Sequence, residues 1–208
     1  MHFDQAAATW DDSPVRRERA QALAETLRPI IRQHQYRNAL DYGAGTGAVS
    51  FLLAGELRHI LLADLSEGMV RKAMENITES GLANLEARRL DLLMTPFDEP
   101  PFDLIYTLMT LHHIRDIRGI LERFYALLRP GGCCCIADLE SEDGSFHAEF
   151  PDFDGHNGFA PDGLALQMEA VGFTDINYHR FFTIARPLPD GGEKAYPLFF
   201  MQGAKGIL

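Results

Sequence analysis

Ala39-Leu40-Asp41-Tyr42-Gly43-Ala44-Gly45-Thr46-Gly47-Ala48-Val49-Ser50 decides the fold. Its apolar start reads as the end of a strand. Three glycines at alternate positions make a tight turn, and Val49, Leu52 and Leu53 follow at helical spacing. Glycine serves where φ must be positive or where a ligand comes close to the backbone. A strand, a glycine turn and a helix N-terminus leave amide N–H groups free to hold a nucleotide-like ligand.

Outward from this turn, strand and helix signals alternate. Residues 59–64 and 102–108 are nearly continuous apolar runs, as buried parallel strands require. Residues 85–90 alternate in polarity and belong nearer an edge. Ser66 is placed to cap the helix through Met69, Val70, Ala73 and Ile77, with Gly81 at its end. The helix from Ile117 to Leu128 stops at Arg129-Pro130-Gly131-Gly132, and a fifth strand runs from Cys133 to Leu139. Upstream, Ser13-Pro14 opens a helix with an apolar stripe of Val15, Leu23, Ala24 and Leu27, which Pro29 is expected to bend or end. Pro96, Pro100 and Pro101 mark a loop. Downstream, a helix from Pro161 leads to two strands, 176–182 and 196–201, joined by turn chemistry at Pro189-Asp190-Gly191-Gly192. The sum predicts an α/β fold, a doubly wound, mostly parallel sheet ending in an antiparallel hairpin. One domain over 1–208 is expected, with 1–35 as an N-terminal helical cap and 140–160 as an aromatic, acidic substrate lid.

The chain has 208 residues, a formal net charge of -11, and three cysteines, all adjacent. The acid balance argues against nucleic acid as a partner. No apolar run approaches the ~20 residues needed to cross a membrane, and Met1-His2-Phe3-Asp4-Gln5 lacks a basic start before an apolar stretch, so no secretory signal is expected. Cys133, Cys134 and Cys135 alternate across a strand, so they read as buried hydrophobes of a cytoplasmic protein, and no metal site is expected. Oligomeric state is left open.

In such sheets ligands bind at the carboxyl ends of the strands. Asp64 ends the second strand 21 residues after Gly43 (64 − 43 = 21), where a carboxylate accepts both hydrogen bonds of a ribose diol. Asp41 precedes the first glycine, and Asp91 follows the third strand. Acids in this number suit a cationic ligand better than a pyrophosphate. The glycines run Gly-x-Gly-x-Gly rather than Gly-x-Gly-x-x-Gly, which disfavours NAD.

These features resemble the class I S-adenosylmethionine-dependent methyltransferases, in particular the small-molecule ubiquinone/menaquinone type. The matching runs are residues 40–47, 63–69, Leu90-Asp91-Leu92, Phe102-Asp103-Leu104-Ile105 with Leu111-His112-His113, and 128–132. The resemblance implies a seven-stranded sheet with an antiparallel last strand, and S-adenosyl-L-methionine as cofactor. It implies that Gly43, Ala44 and Gly45 line the methionine part, with Asp41 positioning the loop and ammonium. It implies Asp64 on the ribose, Leu65 and Met69 flanking the adenine, Asp91 and Leu92 receiving its edge, and Thr107 facing the methionine portion. Trp10, with Arg16 or Arg17, is expected to close over the methionyl carboxylate.

Methyl transfer needs a base only where the acceptor holds a proton. His112 and His113 are the candidate catalytic residues, with His147, His156 and Glu140 as further ones. The loop at 140–159 suggests a small-molecule substrate with an apolar body and a positive or hydrogen-bond-donating group. The alternatives are a non-catalytic binder of the same cofactor, a protein methyltransferase and an NAD-dependent oxidoreductase.

Overall fold

A computed structural model describes residues 2–97, 101–187 and 192–207. Pro100 and, of the turn at 189–192, residues 189–191 lie outside the described residues. One seven-stranded sheet has the order β3-β2-β1-β4-β5-β7-β6. Strands β1 (Asn38–Tyr42), β2 (His59–Asp64), β3 (Leu85–Arg89), β4 (Phe102–Leu108) and β5 (Leu128–Leu139) are parallel, with β3 at an edge. Strand β7 (Glu193–Lys205) enters antiparallel between β5 and β6 (Phe173–Pro187).

Helices cover both faces, as buried parallel strands demand. One core layer holds Leu40, Leu61, Ile105, Cys134 and Phe124 from α5 (Ile117–Leu127). The other holds Ala39, Leu62, Tyr106, Cys133, Cys135 and Leu27 from α2 (Pro14–His34). The cysteines divide between the faces as strand alternation requires, and all three are free thiols.

Several expectations are corrected. Helix α2 runs through Pro29 to His34; Leu27 and Ile31 bury on either side of an exposed proline, and Gln35 closes the end in the left-handed region. Tertiary burial therefore outweighs the missing N–H bond. Ser13 makes no side-chain cap, and Val15 is exposed. Strand β5 begins at Leu128, because the chain pairs with Phe102 directly after α5. Strands β6 and β7 outrun both predicted segments and pair along their length with two register shifts. The capping predictions hold. Ser66 accepts from the Met69 N–H at 3.2 Å, and Gly81, at φ 68°, ends α4 (Glu67–Ser80). Between β5 and α6 (Pro161–Val171) the chain makes only a short turn at Ser145–His147, tied back by a bridge from Glu140 to Phe159.

Candidate active site

The carboxyl ends of β1, β2 and β4, with the segments that follow them, surround one cavity of about 760 Å³, within the ~300–1,000 Å³ typical of small-molecule sites. Its floor is the glycine turn. The N–H groups of Gly43 and Ala44 both bond the Ala63 carbonyl, at 2.8 and 3.1 Å, so the turn is strapped to β2. Gly43 has φ +75°, and a Cβ there would lie 2.2 Å from the Thr110 side chain. Only glycine fits.

Two carboxyls flank the turn in different electrostatic states. Asp64 accepts from the Gly45 N–H on one oxygen and the Ser66 N–H on the other, both at 2.8 Å. Burial nevertheless raises its pKa above the ordinary value. Asp41 is 2 % exposed and accepts from the Ser50 hydroxyl, at 2.7 Å, which in turn lies 2.9 Å from the Tyr106 hydroxyl, a second donor to the carboxyl. Burial, reinforced by the charge on Asp64, pushes Asp41 up to about 7. A buried carboxyl with no cation beside it favours a positively charged ligand.

The N-terminal segment roofs the cavity. Asp4, on the helix His2–Ala6, accepts from the Ser66 hydroxyl at 2.7 Å and the Gly68 N–H at 3.0 Å. The Gly68 and Ser66 bonds hold its pKa down to about 2. This is an anion at the N-terminus of α4, a favourable placement. Thr46 donates to Asp11 at 2.7 Å. Trp10 lies over Gly45, and the Arg16 guanidinium sits 3.7 Å from its ring centroid.

The far end of the cavity holds His112, His113 and His147. His112 is 1 % exposed, and its Nδ1 lies 2.5 Å from Asp138 at the end of β5. Burial alone would raise the Asp138 carboxyl, but His112 and two backbone N–H groups outweigh it and hold it low. His113 is lowered to about 3 and His147 to about 4, chiefly by burial, so both are neutral imidazoles near pH 7. Phe153 stacks on His147 at 3.8 Å. The three histidines offer ring nitrogens within 4.8 Å of one another; that limit is wider than the ~3.3 Å edge of a tetrahedral zinc site.

Trp10, Asp41, Gly43, Ala44, Gly45, Asp64, Leu65, Met69, His112 and His113 all line the cavity. Five expected residues do not: Asp91, Leu92, Thr107, and the candidate bases Glu140 and His156, the last with its Nε2 3.0 Å from the Ile114 carbonyl. Asp91 turns back to accept from the Leu93 and Met94 N–H groups, and Leu92 is buried, donating its N–H to the Tyr42 hydroxyl. Thr107 is 0 % exposed, packed inside β4 with its hydroxyl unpartnered. The wall there is Leu108, Met109 and Thr110 instead, where Met109 turns with φ +55°.

The lid acids also differ from expectation. Glu140 pairs with Arg180, Asp143 with Lys194 and Asp154 with Arg115, and the Glu142 carboxylate accepts from the Phe146 N–H. The charge of these four is spent at the rim, whereas Asp152 of the same loop lines the cavity. Sequence reading placed Arg16 or Arg17 here but missed Arg19 and Arg186, which join them on the cationic side of the cavity. The signal available was the spacing of Arg16 and Arg19, which share a helix face.

The site fits an adenosyl sulfonium cofactor. A buried, unneutralised carboxyl awaits a cation, a second carboxylate stands where a diol is expected, and the glycine turn leaves room between them. Comparison with known proteins agrees. Residues 39–132 match the methyltransferase domain family. A demethylmenaquinone methyltransferase of Listeria monocytogenes is 31% identical over 116 residues, covering 54% of this chain and 48% of the relative. Phosphoethanolamine N-methyltransferase 1 of Arabidopsis thaliana is 28% identical over 160 residues, covering 73% and 32%. The chain thus spans about half the length, or less, of these curated relatives. Among solved structures, a complex of DhpI with SAH superposes with a TM-score of 0.73 at 20% identity, over 99% of this chain and 94% of that one. Haemonchus contortus phosphoethanolamine N-methyltransferase 2, in complex with phosphomonomethylethanolamine and S-adenosylhomocysteine, gives 0.68 at 17% identity, over 82% and 49%. By fold, strand-end chemistry and a domain match over residues 39–132, the chain resembles the class I S-adenosylmethionine-dependent methyltransferases.

Proposed function

We propose that the protein transfers the methyl group of S-adenosylmethionine to a small molecule bound at the histidine end of the cavity. The observation that carries this reading is one cavity joining the Asp41–Asp64 glycine turn to the His112–Asp138 pair. Asp41, Gly43, Gly45 and Asp64 would hold the cofactor, with Leu65 and Met69 beside its base and Trp10 over it. When bound, the cofactor supplies a sulfonium methyl with a neutral thioether as leaving group.

The chain itself orients the acceptor, excludes water and handles one proton. Asp138 fixes the tautomer of His112 by accepting from Nδ1–H, which leaves Nε2 with a lone pair. His112 is therefore the base for an acceptor that must lose a proton, and Asp138 stabilises the imidazolium that results. His113, neutral and edge-on to Phe3 at 5.2 Å, shapes the wall. The segment at 140–159 contributes Phe146, Phe150 and Phe153, which supports its role as a substrate lid. Three unpaired thiols support a cytoplasmic location; among the described residues no helix is long and apolar enough to cross a membrane.

The test is a metabolite-pool incubation with isotope-labelled S-adenosylmethionine, preceded by a thermal shift with S-adenosylhomocysteine. A rise in melting temperature and label in one small product are expected. Folded protein that S-adenosylhomocysteine does not stabilise refutes the reading.

A further inference from the structure

The chain carries a net charge of -11, yet four arginines line its main cavity: Arg16, Arg17, Arg19 and Arg186. Arg16 and Arg19 lie one turn apart on α2, and α2 packs against β6, which carries Arg186. Their charges repel. Burial and then the neighbouring cations lower Arg19 to about 10, and Arg16 is lowered by burial despite Asp11. The Arg19 Nε is buried with no acceptor. Arg186 donates one bond, to the Phe146 carbonyl at 2.5 Å, with its guanidinium 3.8 Å from the Phe146 ring centroid.

The two acids whose charge Arg16 and Arg19 feel are already engaged. Asp138 accepts from His112 and from the Leu139 N–H, and Asp11 accepts from Thr46. Among the described residues, neither carboxylate forms an ion pair with these arginines. Guanidinium groups offer five donors each. Several donors and two poorly compensated charges therefore meet in one half-buried pocket, an arrangement that is costly unless an anion completes it.

A bound cofactor brings one carboxylate, and its natural partner is Arg16, stacked on Trp10 beside Gly45. Arg19 and Arg186 belong to the other end. Arg186 lies over Phe146, whose ring is 4.9 Å from that of His147, and Arg19 is near enough to Asp138 to feel its charge. We propose that Arg19 and Arg186 form an anion subsite for the methyl acceptor, which carries a carboxylate or phosphate group. The subsite stands on the geometry alone; its assignment to the acceptor rests on the methyltransferase reading. It departs from the positive or hydrogen-bond-donating group expected from the acidic loop.

The test uses the full chain saturated with S-adenosylhomocysteine, titrated with inorganic phosphate or acetate against chloride of equal ionic strength. Phosphate or acetate is expected to raise the melting temperature saturably. Arg19→Gln and Arg186→Gln should weaken that binding about tenfold or more, the scale of a lost charged hydrogen bond. S-adenosylhomocysteine affinity should stay within about threefold in both variants, which also certifies their folding. Arg19→Lys and Arg186→Lys, which keep the charge but lose the fork, replace any Gln variant that fails to fold and should weaken anion binding less.

Anions that act no better than chloride overturn the proposal. So does a tenfold loss of S-adenosylhomocysteine affinity in Arg186→Gln, with phosphate competing against it but not against 5′-methylthioadenosine. That result would give both arginines to the cofactor carboxylate. If S-adenosylhomocysteine does not bind at all, the proposed function fails, while phosphate binding to the cofactor-free protein still decides the subsite.

Discussion

Asp41→Asn should make the cofactor-free protein more stable and the cofactor weaker, with a pH dependence that identifies the cause. Burial, with a smaller push from Asp64, raises the Asp41 carboxyl from 3.8 to about 7; hydrogen bonds from Ser50 and Tyr106 oppose the rise. Between those two values the folded protein holds a proton that the unfolded chain has released. The Asp41 contribution to stability is therefore greatest below about pH 4, falls as pH rises through the window, and is level above about 7. The gap from 3.8 to about 7, at roughly 1.4 kcal/mol per pH unit, amounts to about 4 kcal/mol. Asparagine keeps an acceptor for the Ser50 hydroxyl and never ionises. Urea denaturation of both proteins, free of cofactor, from about pH 4 to 8 is the assay. The variant should match the wild type near pH 4 and gain several kcal/mol by pH 8. A difference that does not change with pH refutes the reasoning. Calorimetry with S-adenosylhomocysteine should move the other way. Wild-type affinity should fall below about pH 7, where Asp41 takes up its proton, and the variant should bind weakly without that dependence. A site that favours its ligand by holding an unfavourable charge sacrifices stability for function.

Gly43→Ala meets both a φ of +75° and the Thr110 side chain at 2.2 Å, so it should cost about 2 kcal/mol or more in chemical denaturation. Adding Thr110→Ala should recover the steric part and not the backbone part. Asp138→Asn should lower kcat about a hundredfold or more and alter the acidic limb of the pH–rate profile, while S-adenosylhomocysteine affinity is unchanged. Trp10→Ala, which removes the ring over Gly45 and the surface under Arg16, should weaken S-adenosylhomocysteine about tenfold by calorimetry.

The features legible in the sequence are those fixed within a few residues. The glycine turn, the Ser66 cap and the acids at strand ends each follow from local chain geometry, and Asp41 and Asp64 reach the cavity as their positions require. Thr107 and Asp91 escape that logic. Strand position places Thr107 near the site, but alternation at the end of β4 decides its side-chain direction, and Met109 then swings the chain out at φ +55°. Asp91 satisfies the turn that follows it before any ligand arrives. Pro29 does not end its helix, because a local rule yielded to burial on both sides of it. The arginine cluster was invisible for a different reason: it joins Arg16 to Arg186, 170 positions apart (186 − 16 = 170), through packing of α2 on β6. The acids of the 140–159 segment misled in the same way, since Arg180 and Lys194 that neutralise them come from the distant hairpin.

The placement of β7 also governs how the chain can assemble. Residues 193–205 form an interior strand, bonded to β5 on one side and β6 on the other. Until they leave the ribosome, β5 presents an open edge and β6 has no partner in the sheet. The cofactor half, residues 38–108, can pair its four parallel strands earlier, with shorter loops to close. Arg186, waiting on β6, reaches its station beside α2 only when that late strand locks in. During synthesis the glycine turn is thus built first, and the wall that faces the acceptor is built last.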